Sequence, residues 1–336
     1  MKNIYFVIIG LLSSFATFAN QNTYFLAADI DSSHASIDDT SDQIIRAKLD
    51  LGIEVDLASF LGEDSSLYAS YSLRRGDNGS DFVGDMQSFS NIDEEEFSRL
   101  YELFFTKSMS DSSNLKLGVM DATADFAAPY NGGDFINASM GFSPTIGGIS
   151  TYPTPHLGVY YDLAFAHYKL KLGAYSADED RIGFSESFQI AEFEMGYSEE
   201  SYLRFGLWSH TALENREGTL DSAGDFYAVI DHKFNDKLNG FFQYGNADSE
   251  FNDIETHWAI GVNYTGLFFA DEPSGLVMSQ ISVDGSGQET AIEFYSNYTV
   301  NEHVSVKPSL VYISELAGDS ASGDATIFNL RFSLAL

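Results

Sequence analysis

The fold class that the sequence predicts is all-β: a transmembrane antiparallel β-barrel of about 16 strands with an inward-folded constriction loop. Three observations predict it. The chain of 336 residues keeps returning to short segments in which apolar and polar residues alternate, joined by connections that are short and long in turn. Aromatic residues make up 15%, with 28 Phe, 19 Tyr and 2 Trp, while only 6 prolines occur. That composition suits strands. Finally, the stretch 122–155 (ATADFAAPYNGGDFINASMGFSPTIGGISTYPTP) breaks the alternation and holds four of the six prolines and five glycines. A structureless interval this long inside one domain points to a functional loop, and it is expected to fold into the barrel and narrow it.

Residues 1–19 read as a signal peptide. Lys2 gives a positive start, Ile4 to Leu12 is apolar, and the run to Ala19 is rich in small residues, with Thr17 three positions before the cut. The apolar core is too short to span a bilayer, and no later stretch is long enough to form a transmembrane helix. The remainder, 20–336, is expected to be a single barrel. Its segments are read at 24–30, 44–57, 67–74, 99–107, 115–121, 156–165, 168–175, 188–197, 202–210, 225–234, 237–247, 256–264, 276–283, 289–299, 303–314 and 325–336. Long connections fall at 75–97, 122–155, 177–187 and 211–223. Short ones fall at Ala166-His167, Glu199-Glu200 and Asn235-Asp236, as periplasmic turns require. The interval 265–274 is an exception, too long and apolar for a tight turn.

Phase assigns side chains to faces. In 44–57, Ile45, Ala47, Leu49, Leu51, Ile53, Val55 and Leu57 share one face, and Arg46, Lys48, Asp50, Gly52, Glu54 and Asp56 the other. In a barrel the first face meets lipid and the second the lumen. A basic residue at mid-membrane on the lipid face costs roughly 2–4 kcal/mol, so the scarce cations belong inside. By phase the inner set includes Arg74, Lys116, Lys169, Lys171, Glu192, Glu194, Arg204, Trp208, Glu293, Lys307 and Arg331. Arg99 shares a phase with Tyr101, Leu103 and Phe105, which would place it beyond the bilayer edge. An aromatic face such as Trp208 or Tyr175 is a candidate to stack on the apolar face of a pyranose.

Composition also excludes. There is no cysteine, hence no disulfide scaffold or thiol chemistry. The formal charge of −33, from 17 basic and 50 acidic residues, argues against nucleic acid or an anionic membrane surface as a partner. Seven histidines are scattered without a zinc-binding spacing. No GxSxG elbow occurs. Glu192 and Glu194 lie two apart on one strand face, whereas a glycosidase pair faces across a cleft. No metal, cofactor or catalytic residue is expected. A barrel-embedded enzyme acting on lipid and a surface adhesin remain the competing classes, the second because of acidic loops such as Asp93–Glu96.

An ordered set of motifs then stands out: RLYELFF at 99–105, LKLGVMD at 115–121, Asp125-Phe126, Phe135-Ile-Asn137, Tyr152-Pro153, AIEFY at 291–295, VSVKPSLVY at 304–312 and NLRFSL at 329–334. In these the chain resembles the carbohydrate-selective porin family, the OprB-type outer-membrane porins. The resemblance is clearest over 91–155 and 289–336. It implies a sixteen-stranded barrel in a Gram-negative outer membrane, narrowed by a loop and passing glucose and other small sugars between arginines and acids. By position, Arg99 and Glu102 match the family's Arg-Leu-Tyr-Glu run, and Asp121 and Asp125 flank the loop entry. The expected partners are small sugars and ions, outer-membrane lipid and lipopolysaccharide, and the barrel-assembly machinery. The chain departs from the family in its shorter length, in Leu336 where an aromatic residue is usual, and in its excess of acid. The acid excess leaves room for a general, cation-leaning pore.

Overall fold

Alternation decides which way each strand faces, and the computed structural model, which describes residues 22–336, shows the barrel that results. The strands are β1 (Asn22–Ile37), β2 (Thr40–Asp56), β3 (Ser65–Gly76), β4 (Phe97–Ser110), β5 (Ser113–Met120), β6 (His156–Phe165), β7 (Tyr168–Ser176) and β8 (Ser187–Ser198). They continue with β9 (Ser201–Glu214), β10 (Leu220–Asn235), β11 (Leu238–Asn246), β12 (Ile254–Thr265) and β13 (Pro273–Val283). Next come β14 (Gln288–Ser296, resumed past Asn297 as Tyr298–Asn301), β15 (Val304–Ser314) and β16 (Ala325–Ala335). Both pieces of β14 pair with β15, so the sheet is a sixteen-stranded antiparallel barrel. It closes where β16 returns to β1, with Asp31 opposite Arg331 and Ala27 opposite Ala335. The expected signal peptide falls on residues outside those described.

Every segment read from alternation corresponds to a strand, but β1 and β2 run longer than the pattern suggests and meet in a turn at Asp38-Asp39. Their added length carries polar residues on the outward face (Ser32, His34, Ser36). Outward polarity fits strands that rise past the apolar band, where alternation stops being a signal. Along the rest of the wall the outward positions are apolar and exposed, such as Ile30, Leu51, Leu117, Leu207, Ile260 and Phe328. The interval 266–272, between β12 and β13, is neither a tight turn nor a strand. Its Phe268 and Phe269 lie against Phe294 and Tyr298, with ring centroids 6.1 and 4.9 Å apart, so the turn folds back on the outer wall.

A bulge in β4 resolves Arg99. The β3–β4 register slips between Ser70, opposite Glu102, and Tyr71, opposite Leu100. One extra residue reverses the facing of everything beyond it. Arg99 therefore lies inside, reaching Thr154 Oγ1 at 2.5 Å. Glu102 also lies inside, while Leu103 is exposed on the outer wall. The outward phase read for Arg99 is corrected by this bulge.

The barrel is filled by its own loops. The connection between β5 and β6 enters the lumen, with Ala122, Phe126, Phe135, Ile136, Met140 and Ile146 buried. So does the connection between β3 and β4, with Val83 and Phe89 buried. The sequence marked only the first of these as inward. The two loops bond to each other: the Asn91 N–H donates to the Ile136 carbonyl at 2.7 Å, and the Ala138 N–H to the Ser88 carbonyl at 2.8 Å.

Candidate functional site

Inward charges on the wall meet the backbone of these loops. A loop folded into a lumen carries N–H and C=O groups that no strand ladder satisfies. Charged acceptors and donors supply the missing partners. Glu293 on β14 accepts from the N–H groups of Ile136 and Asn137, each at 3.0 Å, and from Ser309 Oγ at 2.7 Å. Glu192 on β8 accepts from the Ala127 N–H at 2.9 Å, Tyr227 Oη at 2.7 Å and Lys171 Nζ at 2.8 Å. Glu194 accepts from Tyr130 Oη at 2.7 Å. Arg204 on β9 pairs with Asp231, donates to the Ala128 carbonyl at 2.6 Å and lies 4.1 Å from the Tyr130 ring centroid. Lys307 donates to the Asp134 carbonyl at 2.5 Å.

The second loop is held in the same way. Arg74 donates to the carbonyls of Gly76, Asp77 and, at 3.3 Å, Ile92. Arg46 meets Asp93 at 3.0 Å. Arg331 holds Asp31 at 2.6 Å, and Asp31 accepts from Ser90 Oγ at 2.8 Å. Glu289 takes the Met86 N–H at 3.1 Å. Asp85 lies in this loop, and burial, reinforced by the Glu289 carboxylate, pushes it up to about 7. Burial also raises Asp93 and Asp125, which Arg46 and Lys116 respectively draw back down.

These placements divide the residues singled out from sequence. Arg74, Lys171, Glu192, Glu194, Arg204, Glu293 and Arg331 face inward but are buried beneath the loops, with the loop contacts described above. Trp208 and Tyr175 are buried too, Trp208 stacked on Phe188 at 6.0 Å, so neither offers a ring face to a solute. That expectation is corrected: phase placed both rings inside, but the loop covers them. Asp93 is likewise not a solvated surface acid but a buried partner of Arg46.

Arg99, Glu102, Lys116, Asp121, Asp125 and Lys169 remain only partly buried. Tyr101 Oη donates to Asp121 at 2.6 Å, the Asp121 N–H to Glu102 at 2.9 Å, and Lys116 Nζ to Asp125 at 2.7 Å. Lys48, paired with Asp50, lies 5.7 Å from the Tyr101 ring and 5.6 Å from the Tyr152 ring. Lys48 and Asp50 were visible in the polar phase of β2. Tyr101 was hidden by the bulge, and Thr123 and Tyr152 lie in a loop with no periodic signal.

Open space lies on both sides of the loop. On the outer side a cavity of about 350 Å³ is bounded by Asn91, Asp121, Asn137, Thr151 and Tyr152. On the short-turn side a cavity of about 320 Å³ is bounded by Lys116, Asp125, Tyr130, Tyr160, Asp162 and Lys169. Thr123 lines both. Carboxylates, ammonium groups and phenols around a volume of this size offer donors and acceptors in every direction to a polyhydroxylated solute.

Comparison with known proteins agrees with this architecture. Residues 46–201, which run from β2 to the start of β9 and include both inward loops, match the family model described as carbohydrate-selective porin, OprB family. No curated protein matches the sequence. Among solved structures, the high-pH structure of Pseudomonas putida OprB is similar with a TM-score of 0.84 at 16% identity, covering 97% of this chain and 96% of that one. The low-pH structure of the same protein gives 0.65 at 15%, over 97% and 96%. A triple mutant of the Rhodopseudomonas blastica porin gives 0.58 at 13%, over 94% and 100%. At these identities the structures speak to the fold.

Proposed function

We propose, on the premise of the carbohydrate-selective porin match, that this protein is an outer-membrane porin giving passive diffusion to small sugars such as glucose. It is a channel and not an enzyme. It reaches the outer membrane by an N-terminal export signal and the barrel-assembly machinery. The observation that carries the reading is the 122–155 loop, bound to the inner wall by Glu192, Arg204, Glu293 and Lys307, with Thr123 between two polar cavities. The partly buried groups Arg99, Glu102, Lys116, Asp121, Asp125 and Lys169 are the ones a solute would meet. The buried charges hold the loop that shapes its path.

The lumen needs no chemistry beyond weak, exchangeable hydrogen bonding, because conduction requires that a solute leave as readily as it enters. Purified folded protein in a planar bilayer tests this. Glucose and maltose are expected to reduce the ionic current saturably, and deletion of residues 125–150 to raise conductance. A correctly folded deletion with unchanged conductance would remove the loop from its role. The acid excess favours a second reading, a general cation-leaning pore. It would show as strong potassium-over-chloride selectivity with no effect of sugar.

A further inference from the structure

The aromatic residues inside the barrel fall into two kinds. Most are core: Tyr175, Tyr227, Tyr295, Phe135 and Phe188 are fully covered by loop and wall. Phe25, Tyr68 and Phe104 belong to the remainder, with Phe104 at the edge of one core cluster. They project inward from β1, β3 and β4 and are only partly buried. Phe25 and Tyr68 have ring centroids 5.9 Å apart with planes inclined by 13°, and Tyr68 and Phe104 are 4.9 Å apart at 28°. Three near-parallel rings, each stacked on the next, form a continuous apolar strip that is only partly covered, beside the polar inward groups Glu54 and Glu102. A water-filled lumen gives no reason to leave such a strip open.

The wall is shaped for it. Phe25 pairs with Gly52 across β1 and β2, and a Cβ at Gly52 would come within 1.9 Å of the Phe25 ring. Only a glycine there lets the ring lie over the strand towards Tyr68. Carboxylates flank the strip. Glu54 stands opposite Tyr68, and Glu102 opposite Ser70, two residues further along β3. The strip also leads somewhere. Lys116 Nζ lies 5.6 Å from the Phe104 ring, and Lys116 borders the cavity on the short-turn side of the loop together with Thr106, two residues beyond Phe104.

The geometry points to a saccharide-binding track: Phe25, Tyr68 and Phe104 stack against the apolar faces of pyranose rings while Glu54, Glu102 and Lys116 take their hydroxyls. It rests on the sugar-porin reading and adds to it a site on the periplasmic side of the loop. The chemistry asked of a ligand is specific. It must have one flat C–H face and an equatorial rim of hydroxyls. A pyranose has both, and an acyclic sugar alcohol with the same hydroxyls does not.

The test is sugar-induced block of single-channel current in a planar bilayer, with maltose and sorbitol as probes. The variants are Tyr68→Leu and Phe104→Leu, which keep apolar bulk for folding but lose the flat face, and Tyr68→Phe, which keeps it. In the wild-type protein, maltose is expected to block saturably and sorbitol not. The leucine variants should raise the half-blocking maltose concentration by about tenfold, the scale of one aromatic contact. Tyr68→Phe should leave it within about twofold. Wild-type block by maltose that survives unchanged in both leucine variants would overturn the track and leave the porin function standing. Equal block by sorbitol and maltose would do the same. Absence of any sugar effect in the wild-type protein would overturn the sugar reading itself, and the track with it.

Discussion

Glu293→Ala tests whether wall charges fix the constriction. Glu293 is fully buried and accepts two backbone N–H groups of the loop at 3.0 Å. A hydrogen bond to a charged group contributes about 1.5–3 kcal/mol, so losing both removes about 3–6 kcal/mol of attachment at residues 136–137. At 1.4 kcal/mol per decade, the balance between seated and unseated loop moves by about two to four decades. The neighbouring attachments, Lys307 to the Asp134 carbonyl and Gln243 to the carbonyls of Ser139 and Met140, limit the freed segment to a few residues. The barrel ladder is untouched, because the Glu293 backbone keeps its pairing between β13 and β15. Recording open-channel noise and mean conductance, with heat-modifiable gel migration as the folding check, separates loop from barrel. The variant should fold and show added current noise, and Glu293→Gln, which keeps an acceptor oxygen, should lie between. A folded Glu293→Ala channel as quiet as wild type would refute the claim that the wall carboxylates hold the loop.

Two further predictions follow from the same packing. Asp85 ionises only above about 7 in the folded protein, against an ordinary value of 3.8. The folded state thus binds the extra proton, and the contribution of Asp85 to stability is most favourable below 3.8 and falls as pH rises to about 7, by at most about 4 kcal/mol. Asp85→Asn should abolish that part of the pH dependence of thermal unfolding, and an unchanged slope would show that Asp85 is not its source. Gly118 has φ +144°, and a Cβ there would come within 2.2 Å of the Leu103 carbonyl oxygen and 2.5 Å of Phe104 Cα. Gly118→Ala should therefore lose heat-modifiable folding, whereas Gly133→Ala, with nothing within 4 Å, should keep it.

Strand number, facing and the inward loop were legible because lipid imposes a period of two over the height of the apolar band. Outside that constraint the signal fails for physical reasons. The upper parts of β1 and β2 leave the bilayer, so Ser32, His34 and Ser36 need not be apolar. The β4 bulge adds one residue and reverses the phase, which misplaced Arg99 while leaving Glu102 inside. The 77–96 loop resembles a solvated polar connection because the groups that anchor it, Arg46 on Asp93 and Glu289 on the Met86 N–H, lie on distant strands. Phase can say that Trp208 points inward. It cannot say that a loop from elsewhere in the chain lies on top of it.

The charge distribution bears on what the pore selects. Among the described residues, the inward cations are largely matched: Arg46 with Asp93, Lys116 with Asp125, Lys171 with Glu192, Arg204 with Asp231 and Arg331 with Asp31. Much of the excess behind the −33 is elsewhere, on exposed acids such as Asp38, Asp39, Glu95, Glu199, Glu200, Glu217 and Asp248. Such charges act on ions approaching the mouths, through solvent, and over a distance set by screening. The Debye length falls from about 10 Å at 0.1 M salt to about 3 Å at 1 M. Cation preference, read from reversal potentials under a potassium chloride gradient, should accordingly be marked in dilute salt and largely vanish near 1 M. Sugar block should persist across the same range, because stacking and short hydrogen bonds are not screened. A cation preference that held undiminished at 1 M would place the selecting charge at the narrowest point instead, among Asp121, Glu102 and Asp125, and would make the acid excess part of the filter.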